Sequence, residues 1–173
     1  MITLDERLKA CAKYVSGKGT VCDVGTDHAY LPAYLILSEK CRNAVAGDIN
    51  DGPLEFAEQT LNKYKLSDKI KLVKSDGLKN ISPENVSDVI IAGMGGETIS
   101  DILAEAEWLR NGVNLILQPM TRAQGLRKWL YKNGYEIISE RAVSHDRFNY
   151  TVINASYCGY RFNIGSVAEN IGK

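Results

Sequence analysis

Thr20-Val21-Cys22-Asp23-Val24-Gly25-Thr26-Asp27-His28-Ala29-Tyr30-Leu31-Pro32 decides how this chain of 173 residues is read. An apolar run breaks at Gly25, and an apolar segment resumes at Ala29. The pattern is a short buried strand, a tight turn and a helix. Glycine after such a strand lets the backbone turn sharply, or approach a ligand with no Cβ in the way. Asp23, inside the strand, is costly to bury beside apolar neighbours unless it is paired. Asp27, at the turn, either caps the helix or faces a ligand at the carboxyl end of the strand.

Working outward, the same strand-and-helix alternation repeats. Leu4, Leu8, Cys11, Ala12 and Val15 recur at helical spacing, which predicts an amphipathic helix over residues 3–15. Ala29 to Leu37 make an apolar helix with Pro32 in its first turn. Strands are expected over 43–49, 70–73, 86–92 and 113–117, with helices over 51–64 and 98–109 and around Leu126, Trp129 and Leu130. Residues 135–143 and 148–157 read as two long strands joined tightly through 144–147, hence antiparallel neighbours. The expected fold is α/β: a doubly wound, mostly parallel sheet closed by a terminal antiparallel hairpin.

The strand ends carry the chemistry. Asp48 ends the second strand 23 residues after Gly25, close to the spacing at which an acid reaches a ribose hydroxyl pair. Asp76 follows the third strand, placed to accept from an adenine amino group. The turn after Gly25 lacks the GxGxxG glycines that seat a pyrophosphate on a helix N-terminus. Carboxylates there disfavour phosphate and suit a cationic nucleoside. S-adenosylmethionine (SAM), with its ammonium and sulfonium, fits.

Composition narrows the class. Twenty-one basic and 21 acidic side chains cancel, so no global field draws the chain to a polyanion. Charge is uneven locally: residues 48–108 hold 12 acids and 6 bases, and residues 121–149 hold 6 bases and 3 acids. The four cysteines lack CxxC spacing and read as free thiols in a reducing compartment, with no metal expected. No apolar run approaches the roughly 18–20 residues that span a bilayer, and no signal peptide is expected. A cytoplasmic protein is expected, without a membrane or an obligate protein partner.

The runs at 23–32, 46–49 (Ala-Gly-Asp-Ile), 75–78 (Ser-Asp-Gly-Leu), 91–96 (Ile-Ala-Gly-Met-Gly-Gly) and 115–119 (Leu-Ile-Leu-Gln-Pro) resemble the bacterial tRNA (adenine(22)-N1)-methyltransferases. Arg127-Lys128-Trp129-Leu130 and Tyr150 continue the likeness, which extends over roughly residues 3–157. It implies a Rossmann-like class I methyltransferase fold, SAM as methyl donor and N1 of adenine 22 in tRNA as acceptor. It also implies cofactor contacts at Asp23, Gly25, Thr26, His28, Asp48, Ile49, Asp76, Gly77, Ala92 and Gly93. A methyltransferase domain over 1–158 is expected, then a short tail over 159–173 without the family's C-terminal helical hairpin.

Adenine N1 has an in-plane lone pair, so it needs in-line positioning and an acceptor near its N6 amino group more than a strong base. Asp27 is the first candidate for that acceptor. Gly93 and Met94 would let the base lie against backbone and an apolar wall, and Tyr30 would either stack on it or join the core. The tRNA face is expected on Arg7, Lys9, Lys13, Arg122, Arg127 and Lys128, from the charge asymmetry. A hydrolase is disfavoured because no G-x-S-x-G elbow exists. A SAM- or nucleotide-binding regulatory module remains the alternative, as does another RNA acceptor.

Overall fold

Alternating inward and outward side chains on β4 set the layering. Val89 and Ile91 pack against one group of helices, Ile90 against another, and all three are fully buried. This follows from the computed structural model, which describes residues 2–145 and 147–161. Seven strands form one sheet: β1 Thr20–Val24, β2 Ala44–Asp48, β3 Ile70–Lys74, β4 Val86–Gly95, β5 Asn114–Thr121, β6 Tyr135–His145 and β7 Phe148–Tyr157. Their order is β3-β2-β1-β4-β5-β7-β6, with β1 to β5 parallel and β7 antiparallel to both β5 and β6.

Helices α1 (Glu6–Tyr14), α2 (Tyr30–Leu37) and α3 (Asp51–Tyr64) cover one face through Cys11, Leu35 and Leu61. Helices α4 (Gly96–Ala104) and α5 (Ala123–Lys132) cover the other through Ile99, Leu103, Leu126 and Leu130. The order of strands reverses between β1 and β4, and a crevice opens there at the carboxyl ends. The expected doubly wound sheet with its terminal hairpin is what the chain forms.

Boundaries differ in instructive places. The helix expected over 98–109 ends at Ala104, and a separate 3-10 turn follows at Glu107–Arg110. Leu103, Ala106 and Leu109 are all buried at three-residue spacing, which the tighter turn keeps on one face. The strand expected over 86–92 runs on to Gly95, with its register broken on both sides of Met94. Most of the tail expected over 159–173 lies outside the described residues.

Candidate active site

The turn after β1 is tied down by its neighbour and by itself. The N–H groups of Gly25 and Thr26 both donate to the Gly47 carbonyl on β2, at 2.8 and 3.0 Å. Gly25 has φ +74, a conformation that L side chains rarely adopt, so the turn calls for glycine; an added Cβ would also have to displace the Met94 methyl, the movable end of a flexible side chain. Asp27 and Ala29 take left-handed φ values of 51 and 55 without being glycine, in a turn anchored by the buried Thr26 and Ala29. Ala29, not Asp27, occupies the N-cap position of α2, and no side chain caps that helix. The capping role for Asp27 is therefore corrected. Its exposed carboxylate instead stands 3.7 Å from His28 Nε2.

Two cavities meet at Gly25. The larger, about 390 Å³, is lined by Asp48, Ile49, Asp76 and Gly77, with Met94 and Ile102 as apolar wall. Ser75, Thr98, Asp101, Lys79 and Glu105 complete it. The Asp48 carboxylate is oriented by the Asn50 N–H at 2.9 Å. Asp76 is paired with Lys79 at 2.5 Å. The smaller cavity, about 270 Å³, is lined by Asp23, Thr26, Asp27, His28 and Tyr30, with Ala92, Gly93 and Arg7 opposite. All ten expected cofactor positions thus line this pair of cavities. Among the described residues no cluster of three His, Cys, Asp or Glu could hold a metal.

Asp23 is the electrostatic centre of the smaller cavity. It is buried and accepts from the Thr26 hydroxyl at 2.7 Å. Burial pushes its carboxyl up to about 6, the Thr26 bond acts the other way, and the charge of Asp48 adds to the rise. A buried, sparsely bonded carboxylate favours a cationic partner. The thiol beneath, Cys11, is pushed up to about 12 by burial, so it is no nucleophile at neutral pH.

At the end of β4, Gly93 (φ +83) stands outside the ladder, between Ala92 opposite Gln118 and Met94 opposite Pro119. Its N–H donates to Gln118 Oε1 at 3.2 Å, and Arg7 Nη1 donates to the same oxygen at 3.2 Å. Gln118 is fully buried and so holds both groups in place. A bulge of this kind re-aims backbone at a site. Met94, expected beside the acceptor base, lies in the larger cavity, apart from the lining that Asp27 and Tyr30 share.

The methyltransferase domain family matches residues 4–153. The tRNA (adenine(22)-N(1))-methyltransferase of Bacillus subtilis (strain 168) is 37% identical over 172 residues, 95% of this chain and 72% of that protein. The chain belongs to the tRNA (adenine(22)-N(1))-methyltransferase family. Among solved members, M. capricolum TrmK in complex with S-adenosyl-homocysteine is 31% identical, covers 98% of this chain and 76% of its own, and superposes with a TM-score of 0.87. A Streptococcus pneumoniae protein solved with S-adenosyl-L-methionine is 33% identical, covers 99% and 79%, and has a TM-score of 0.91. The sheet is accordingly that of the class I methyltransferases.

Membership of this family leaves the expected RNA face to be judged on geometry. Arg127 is corrected outright: it is 5% exposed and forms a bidentate pair with Glu140, at 2.8 Å from both Nε and Nη2. Arg7 is also withdrawn from a free surface, held by Asp5 at 2.7 Å and lying 5.3 Å over the Tyr150 ring. Lys9 pairs with Glu6 at 2.7 Å and Arg122 with Glu97. Lys13 and Lys128 are exposed. Counting bases along the sequence overstates the positive surface, because Arg7, Lys9, Arg122 and Arg127 have acid partners, Asp5 and Glu6 close by in sequence and Glu97 and Glu140 from other elements. Arg7 is also what sequence reasoning missed at the site: its helical position showed a polar face, but not the cavity that face borders.

Proposed function

We propose that this chain carries out its family's reaction, transfer of a methyl group from SAM to N1 of adenine 22 in tRNA, across the two cavities that meet at Gly25. The observation that carries this reading is their division of labour. One is acid-edged with an apolar wall, as a nucleoside needs, and the other pairs a buried carboxylate with a nearby guanidinium.

When bound, SAM supplies an electrophilic methyl carbon on a sulfonium. Asp48 takes the ribose hydroxyls, Asp76 accepts from the adenine amino group, and Met94 and Ile102 cover the ring. Asp23 holds the ammonium and Arg7 the carboxylate of the amino-acid end. Gly25, lacking a Cβ, lets the chain pass between the two halves. The target adenine enters over Asp27, Tyr30 and the bulged Gly93. Attack needs no prior deprotonation. As the N1–CH3 bond forms and the S–CH3 bond breaks, S-adenosyl-homocysteine would leave as a neutral thioether, and Asp27 would stabilise the positive charge on the base by accepting a hydrogen bond from its N6 amino group.

No helix among the described residues is long and apolar enough to cross a membrane. With Cys11, Cys22 and Cys41 buried as free thiols, we place the work in the cytoplasm.

Incubation with labelled SAM and unmodified tRNA, followed by nucleoside analysis, should yield 1-methyladenosine. Asp27→Asn should lower the single-turnover rate roughly a hundredfold while leaving SAM affinity nearly unchanged. An unchanged rate removes Asp27 from the chemistry. Absence of 1-methyladenosine from the wild-type reaction ends the reading.

A further inference from the structure

A third cavity, about 550 Å³, lies beyond the other two and shares His28 and Tyr30 with the smaller of them. Its floor is one stripe of α3: Phe56, Gln59, Thr60, Lys63 and Tyr64, at the three- and four-residue spacing of a helix face. The stripe flanks the buried face of α3 at Ala57 and Leu61, and its ring Phe56 is 49% exposed, as Tyr30 is at 45%. The rings form a ladder. His28 stacks on Tyr30 at 5.2 Å and 15° between planes, and meets Phe56 at 4.9 Å and 43°. The ladder therefore leads from the proposed reaction centre into the cleft.

Electrostatics separate this cleft from the cofactor cavity. Asp48, Asp76, Asp101 and Glu105 line the latter and repel phosphate. No carboxylate lines the cleft among the described residues, and its one Lys or Arg in that lining is Lys63, whose Nζ lies 5.5 Å from the Tyr64 ring centroid. Aromatic faces with an adjacent cation and no competing acid suit an unpaired nucleotide, base on ring and phosphate on ammonium.

The geometry points to a nucleotide subsite here: the cleft takes an unpaired nucleotide flanking the target adenine, stacked against Phe56 and Tyr30 with its phosphate at Lys63. This rests on the proposed RNA reaction and adds to it the surface that holds the strand beside the extruded base. Continuity with the reaction centre through His28 and Tyr30 selects RNA over any unrelated ligand, because a strand entering one cavity passes the other.

Phe56→Ala should raise the tRNA KM roughly tenfold with little change in kcat. Phe56→Tyr should restore it, and Lys63→Glu should raise KM and reduce the salt slope by about one. SAM affinity, measured by titration calorimetry, should stay at the wild-type value in all three and also reports that they fold. Phe56→Trp supplies a direct probe: unmodified tRNA should quench its fluorescence beyond what it does to Trp108 and Trp129 in the parent protein. Wild-type KM and salt slope in Phe56→Ala and Lys63→Glu overturn the subsite. So does a fall in SAM affinity, which would give the cleft to the cofactor. Should the wild type bind tRNA without methylating it, the proposed reaction fails while the Phe56→Trp signal still decides the cleft: quenching upholds it, and no quenching overturns it.

Discussion

Asp23 and Asp88 are both buried carboxylates on adjacent parallel strands, yet the fold treats them in opposite ways. Asp88, near the start of β4, accepts from Ser16 N–H and Oγ at 2.8 Å each, Ser87 Oγ at 2.6 Å and Asn114 Nδ2 at 2.8 Å. Asn154 extends the network by donating to Asn114 Oδ1 at 2.6 Å. Asp23, near the carboxyl end of β1, accepts a hydrogen bond from Thr26 alone among the described residues. The amino edge of the sheet is finished by the protein's own donors. At the carboxyl edge a charge is buried without that company. A carboxylate fully satisfied from within serves the fold, and one left sparsely bonded beside a cavity serves a ligand.

The contrast is tested first on the finished side, where losses should be largest. Arg127→Ala leaves the Glu140 carboxylate, whose side chain is 6% exposed, without its partner and should cost about 3–5 kcal/mol of stability. Asp88→Ala takes the acceptor from Ser16, Ser87 and Asn114, which are exposed or half-buried, and should cost about 1–3 kcal/mol. Denaturant unfolding reads this, and a loss below about 1 kcal/mol would mean that these networks are ornaments of the surface after all.

Asp23 should behave inversely. Its folded carboxyl titrates near 6, above the unfolded 3.8, so its ionised form weakens the ligand-free fold at neutral pH. That penalty is fully present above about 6 and disappears as pH falls toward 4. Wild type should therefore gain on Asp23→Asn by about 3 kcal/mol across that window. SAM affinity should run the other way, declining in wild type below pH 6 as the ammonium loses its charged partner, and being weak and flatter with pH in Asp23→Asn. Parallel pH curves for the two proteins would mean that Asp23 carries no such burial penalty.

Asp48→Ala gives the smallest effect and sharpens the boundary between the two edges. It should weaken SAM binding by about 1–3 kcal/mol, while removing the Asn50 contact costs the fold at most about 1 kcal/mol. Calorimetric titration beside thermal unfolding separates the two. A stability loss larger than the binding loss would move Asp48 to the structural side.

Linear order determined a good deal. Apolar runs at β1, β2, β4 and β5, each followed by a turn and a helix, admit few arrangements once crossovers are right-handed, and the acids at 48 and 76 fall at strand ends whatever the loops do. That these residues share one edge was legible for that reason: residues at the carboxyl ends of neighbouring parallel strands must meet there. Tertiary structure decided the rest. Arg127 and Lys128 are adjacent in sequence on a polar-looking turn of helix, and only the approach of β6, bringing Glu140, buries the first while the second stays exposed. Arg7 looked like surface charge until α1 packed against the strand ends. Phe56 took on a role only when α2 and α3 came together, with its ring left facing a cleft. Periodicity along one element reports which way a side chain points; what it meets there depends on elements far away in the chain, and charges and aromatic rings take their roles from those partners.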